Sequence, residues 1–123
     1  MDKDVHTYQI IGAAMTVHRE LGCGFLENVY QEALSLELAA RRIPFHREKI
    51  FPVYYRGREL ESYYRADFVC YHDVIVEVKA QSGIGDTDAA QVINYLKASR
   101  CLRGVLLNFG SRQLQFRRFV LSR

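Results

Sequence analysis

Apolar positions along this chain switch between helical and strand spacing, and the switches mark its elements. From Val5 to Leu21 they recur as a helical stripe of Ile10, Ala14, Val17 and Leu21. Gly22-Cys23-Gly24 then breaks the helix, as a glycine C-cap does. Leu26 to Arg42 forms a second helix, with Leu26, Val29, Ala33, Leu36 and Ala40 at helical spacing, ended by Pro44. Ile50 to Arg56 changes to strand character and leads into a tight turn at Arg56-Gly57-Arg58. Pro52 lacks an amide hydrogen, which places this strand at an edge or delays its start. Glu59 to Cys70 and Val74 to Ala80, joined by a turn at Tyr71-His72-Asp73, complete a three-stranded meander. After a polar loop from Gln81 to Asp88, Asp86 or Thr87 caps a third helix that runs to about Arg100. Strands at Arg103 to Phe109 and Gln113 to Leu121 follow. The order is ααβββαββ, one mixed α/β domain over residues 1–123 without repeat or linker.

Two charges interrupt the apolar run Val74 to Ala80. Residues two apart in a strand share a face, so Glu77 and Lys79 project side by side. Buried charge needs a partner or a use. If the hairpin centres on His72, Asp67 lies directly across from Glu77, with Cβ atoms ~4.5–5.5 Å apart. Two carboxylates that close repel unless a proton or a metal ion sits between them. With the Val78 carbonyl they form part of the oxygen shell that Mg²⁺ or Mn²⁺ takes. Lys79 is placed to orient a water or to stabilise charge as a phosphodiester is cut. An ion pair on a solvated strand face competes evenly on the motif alone; the apolar strand around it favours function.

Other positions carry weaker signals. Glu27 opens the second helix with Tyr30 and Gln31 one turn above; the helix dipole alone accounts for a carboxylate there, and a ligand or water-positioning role stays open. Gln91 and Tyr95 share a helical face suited to holding a phosphate or positioning the lysine, with a plain polar stripe as the alternative. Tyr30 and Asn94 are the candidate substrate contacts. His6, His18, His46 and His72 read as satisfied side chains rather than ligands. Tyr54, Tyr55, Tyr63 and Tyr64 read as sheet residues, able to stack on bases where exposed. Arg112, Arg117, Arg118 and Arg123 either follow a phosphate backbone or line a solvated strand. Gly22-Cys23-Gly24 follows a helix and not a strand, so it is no dinucleotide fingerprint.

Composition narrows the setting. Hydrophobic residues make up 49% and charged residues 25% of the 123, as in soluble globular domains. A net charge of +3 permits a polyanionic partner without requiring one. Cys23, Cys70 and Cys101 are odd in number and lack metal-type spacing, which suggests reduced thiols and a cytoplasmic setting. The start, Met1-Asp2-Lys3-Asp4, has neither the basic residues nor the apolar stretch of a signal peptide, and no run is apolar enough to span a membrane.

Taken in order, these motifs resemble the GxxExxY family, a branch of the PD-(D/E)XK nuclease superfamily. Gly24, Glu27 and Tyr30 match the motif that names the family. The likeness extends from Ile10-Ile11-Gly12-Ala13-Ala14 and Leu21-Gly22 through Arg65-Ala66-Asp67 and Glu77-Val78-Lys79 to Gln91, Asn94-Tyr95-Leu96 and Leu107-Asn108-Phe109-Gly110. It implies a restriction-endonuclease-like core, αβββαβ, with an added helix in front, and a Mg²⁺-dependent DNA-cleaving site. On that pattern Asp67 and Glu77 are metal ligands and Lys79 the catalytic lysine. Gln91 and Tyr95 resemble the QxxxY motif of the RecB-type and lambda-exonuclease-like branch, and Glu27 its acidic residue on an early helix. Two departures stand out: Ala66 replaces the proline of the superfamily name, and Asp88 stands where relatives often carry a histidine.

The leading expectation is a metal-dependent nuclease acting on DNA in repair, recombination or defence. A nucleic-acid-binding or assembly module without turnover is the first rival, and a purely structural domain the second. The domain is small for an enzyme that grips a duplex alone, so self-association or a protein partner is expected.

Overall fold

The computed structural model describes residues 4–122. The reading of residues 1–3 and the arginine candidate Arg123 lie outside the described residues. In chain order the elements are α1 (Val5–Leu21), α2 (Glu27–Ala40), β1 (Phe45–Tyr55), β2 (Arg58–Cys70), β3 (Val74–Lys79), α3 (Asp86–Ser99), β4 (Arg103–Asn108) and β5 (Gln115–Val120). The strands form one sheet in sequence order, antiparallel throughout except for the parallel pair β3 and β4. Parallel neighbours need a long crossover, and α3 supplies it. The arrangement is the restriction-endonuclease-like core with α1 in front and β5 behind.

The sheet separates two apolar layers. Val74, Val76 and Val78 of β3 pack with Ile10, Tyr30 and Leu34 of α1 and α2, while Ile75 packs with Val92 and Leu96 of α3. The alternation that sends Ile75 toward α3 also sends Glu77 and Lys79 to that side. Two charged residues therefore emerge beneath α3 at the end of β3.

Several boundaries differ from the sequence expectation. The helix α2 buries Tyr30, Leu34 and Leu38 rather than the Leu26–Ala40 stripe, and Leu26 and Leu36 are left exposed. Both stripes have helical spacing; the stacking of Tyr30 on Phe109 at 4.8 Å selects the rotation. The same helix stops at Ala40, short of Pro44, because Arg42 turns the chain in the left-handed region at φ 60°. The strand β1 starts at Phe45, earlier than Ile50, with Phe45 paired to Cys70 and Arg47 to Phe68. Its first half is polar and mostly exposed, which conceals strand character. Pro52 is accommodated because β1 is an edge strand, and the register shifts between Pro52 and Tyr54. Gly85, not Asp86 or Thr87, caps α3, with its amide bound by the Asp88 carboxylate at 2.9 Å. Both β4 and β5 are slightly shorter than expected.

The β2–β3 hairpin does centre on His72. Phe68 pairs with Val76 and Cys70 with Val74, and the turn uses left-handed Tyr71 and His72. Arg103 ties this turn to the start of α1 through Asp73 at 2.7 Å and Asp4 at 2.8 Å. No helix among the described residues is long and apolar enough to cross a membrane.

Candidate active site

Asp67 sits where the ladder opens on both sides. Toward β3 the pairing ends at Phe68 and Val76. Toward β1 it includes Arg47 with Phe68 and Lys49 with Ala66 but omits Glu48, which adopts φ 55°. Main-chain groups released from a ladder need other partners. Here the carboxylates supply them reciprocally: the Asp67 amide donates to Glu77 Oε2 at 2.9 Å, and the Val78 amide donates to Asp67 Oδ2 at 2.8 Å. Asp67 and Glu77 thus converge between the strands, as the hairpin register implied.

Each carboxylate keeps one oxygen, Asp67 Oδ1 and Glu77 Oε1, with no hydrogen-bond donor. No buried side-chain oxygen among the described residues lacks a partner, so these two retain access to solvent. Glu77 is 3% exposed, and Asp67 is half-buried. Burial first, and then the facing Asp67 charge, raises the Glu77 carboxyl above its usual range. Burial raises Asp67 as well; the Val78 amide and Lys79 oppose this, while Glu27 and Glu48 add to it. A shared proton or a nearby cation relieves the repulsion within the pair. Neighbouring carboxylates, each with an oxygen not taken by a hydrogen bond, are hard donors of the kind a divalent ion such as Mg²⁺ or Mn²⁺ accepts. Among the described residues, no three His, Cys, Asp or Glu side chains form a cluster that could hold one by themselves.

Lys79 leaves the same face of β3 and donates from Nζ to Gln91 Oε1 on α3 at 3.0 Å. One turn further along α3, Tyr95 is buried, and its phenol is pushed up to about 12 by burial and by the nearby Glu77 and Asp67 charges. The structure therefore gathers Asp67, Glu77, Lys79, Gln91 and Tyr95. Glu27 stands exposed at the start of α2, close enough to act electrostatically on both carboxyls, with Gln31 Nε2 donating to its Oε1 at 3.4 Å. Asn94 is exposed on α3.

Tyr30, expected at the substrate, lies in the core instead. It is fully buried; its hydroxyl donates to the Gly22 carbonyl at 2.6 Å and accepts the Phe25 amide at 3.2 Å. Gly24 in the same loop has φ 116°, open to glycine but strained for other residues. The Tyr30 hydroxyl thus clasps Gly22 and Phe25 on either side of Gly24 and fixes the entry into α2, and with it Glu27. Tyr30 also stacks on Phe109, whose amide donates to the Lys79 carbonyl at 2.9 Å.

Two contributors escaped the sequence reading. Glu48 lies opposite Asp67 only because β1 begins early, and no linear pattern marks it. Asn108, quoted above only as part of a motif, is a bracket: it pairs with Lys79 in the parallel register and is fully buried. Its side-chain oxygen accepts the Gln81 and Gly110 amides at 2.9 and 3.1 Å, and its Nδ2 donates to the Gln81 carbonyl and Gln115 Oε1, both at 2.9 Å. That locks the chain just beyond Lys79. Asp88 helps from the other end, accepting Gln81 Nε2 at 2.6 Å. The histidines follow the plainer reading where contacts exist: His18 Nε2 meets the Ser111 carbonyl at 3.0 Å, and His6 stacks on Tyr71.

No curated protein matches the chain. The crystal structure of SSO0001 superposes with a TM-score of 0.62 at 13% identity, over 79% of this chain and 51% of that one, a likeness of fold. The chain spans about half the length of that protein. A family model described as the PD-(D/E)XK nuclease superfamily matches residues 4–119, nearly all of the sequence. With its aspartate, glutamate and lysine held at the mouth of a parting hairpin, the chain belongs to the PD-(D/E)XK nuclease superfamily.

Proposed function

We propose that this protein is a metal-dependent nuclease that hydrolyses DNA phosphodiester bonds, in the GxxExxY branch of the superfamily. The reciprocal hydrogen bonding of Asp67 and Glu77 carries the reading, because it draws the two carboxylates together and leaves one oxygen of each without a donor. Asp67, Glu77 and the Val78 carbonyl are the groups to hold Mg²⁺ or Mn²⁺. The bound cation supplies charge neutralisation at the phosphoryl oxygens and a water acidic enough to attack.

The chain's own residues do the rest. The Lys79 ammonium lies beside the pair and stabilises negative charge as the phosphorus is attacked. Gln91 holds its ammonium group by the 3.0 Å bond, so its position does not depend on substrate. Glu27 receives or positions the proton of the attacking water from the α2 side. Tyr95 keeps its proton at any working pH and is a hydrogen-bond donor to a phosphate.

The net charge of +3 fits equally a second reading, a nucleic-acid-binding module without turnover. The two separate in a cleavage assay with labelled single-stranded, duplex and RNA substrates. The nuclease reading predicts products with Mg²⁺ or Mn²⁺ and none with chelator. Salt-sensitive binding without products under any metal would support the module.

A further inference from the structure

A cavity of about 420 Å³ opens on the same side of the sheet, between the edge strand β1 and the second half of α3. That volume suits a small organic ligand. Its walls include Tyr54, Tyr64, Asn94, Lys97 and Arg100. We propose that this cavity seats an unpaired nucleotide next to the phosphate at the Asp67–Glu77 pair, so that the protein engages single-stranded nucleic acid. The proposal rests on the nucleolytic reading of that pair and adds the strand state of its substrate.

Continuity with the site comes from α3. Asn94 and Tyr95 follow Gln91 by three and four residues, so the helix face that meets Lys79 runs on toward the cavity. Lys97 lies about 9 Å along the helix axis from Gln91. Tyr64 in the cavity wall meets Tyr95 edge-on, with centroids 4.3 Å apart.

The wall chemistry matches a nucleotide. Tyr54 is 61% exposed, its hydroxyl donates to Glu59 Oε1 at 3.4 Å, and its ring offers a face for a base. Lys97 and Arg100 have no ion-pair partner among the described residues, which leaves both charges for a phosphate. Asn94 presents a donor and an acceptor to a base edge. A base stacked within a duplex has neighbours on both faces and enters such a cavity only if it leaves the helix.

The test is fluorescence anisotropy in metal-free buffer with a labelled oligothymidylate, an oligouridylate and a blunt duplex of equal length. The proteins are wild type, Tyr54→Ala and the double variant Lys97→Ala/Arg100→Ala, each with an unchanged melting temperature. We expect oligothymidylate to bind more tightly than duplex, and either variant to weaken it about tenfold while duplex binding changes less in Tyr54→Ala. Equal or tighter binding of oligouridylate keeps the single-strand proposal and extends it to RNA. Wild-type binding strength in both variants, a preference for duplex, or no binding of single strands overturns it. Cleavage with Mg²⁺ is scored separately. Variants that lose single-strand binding although wild type never cleaves would remove only the nucleolytic reading. Cleavage by wild type with unaltered binding in the variants would remove only the cavity proposal.

Discussion

The Asp67 amide donates to the Glu77 carboxylate at 2.9 Å, in place of a partner in the strand ladder. Each carboxylate is thereby oriented by the other strand's main chain and held against its neighbour. Holding two like charges together in a buried setting is unfavourable for folding, and a bound cation or a proton relieves it. That opposition ties the stability of the fold to two variables, pH and divalent metal.

The first concerns pH. Both carboxyls are raised above their unfolded values, so the folded protein keeps protons that the unfolded chain releases. The sign is therefore loss with rising pH. The contribution is fully present below about pH 4 and falls as the pH climbs toward about 8, the value to which Glu77 is raised. Urea unfolding without metal should show stability dropping by a few kcal/mol, roughly, over that window. Glu77→Gln should flatten the curve. A slope unchanged in that variant would contradict the assignment.

Metal should reverse this loss. On the proposed metal site, Mg²⁺ or Mn²⁺ should bind the deprotonated pair, so the rise in melting temperature should grow between about pH 6 and pH 8. Asp67→Asn removes one oxygen ligand and should abolish the rise. A rise of equal size in Asp67→Asn would place the ion elsewhere.

Which of these features the sequence exposed follows from the range of the interactions involved. The Asp67–Glu77 encounter was legible because a short turn at His72 and a two-residue period fix the register locally. The rotation of α2 was not, since both candidate stripes have helical spacing and only the distant Phe109 decides between them. Tyr30 looked functional because it belongs to a motif; its burial depends on the Gly22–Phe25 loop folding back. Glu48 stayed invisible because it meets Asp67 through a strand whose first half is polar and exposed.

Tyr30→Phe separates a core role from a substrate role. The substitution removes the hydroxyl that bridges Gly22 and Phe25 but preserves the ring stack. It should lower stability by about 1–2 kcal/mol and leave substrate KM unchanged. A raised KM at wild-type stability would return the hydroxyl to the substrate.

The bracket at Asn108 should matter for both folding and Lys79. Asn108→Ala strands the Gln81 amide and carbonyl and should lower stability by about 3 kcal/mol. Gly110→Ala should be at least as damaging, because a Cβ there overlaps the Gln81 main chain. Denaturant unfolding of both variants checks this, and near-wild-type stability in either would show that the loop relaxes freely.

The most direct test of the nucleolytic centre is single-turnover cleavage of a labelled DNA strand with Mg²⁺, comparing wild type with Lys79→Ala and Glu77→Gln. We predict cleavage by wild type and a loss of about a hundredfold or more in each variant, with the fold intact by circular dichroism. Cleavage at the wild-type rate in either folded variant would contradict the assignment of this site.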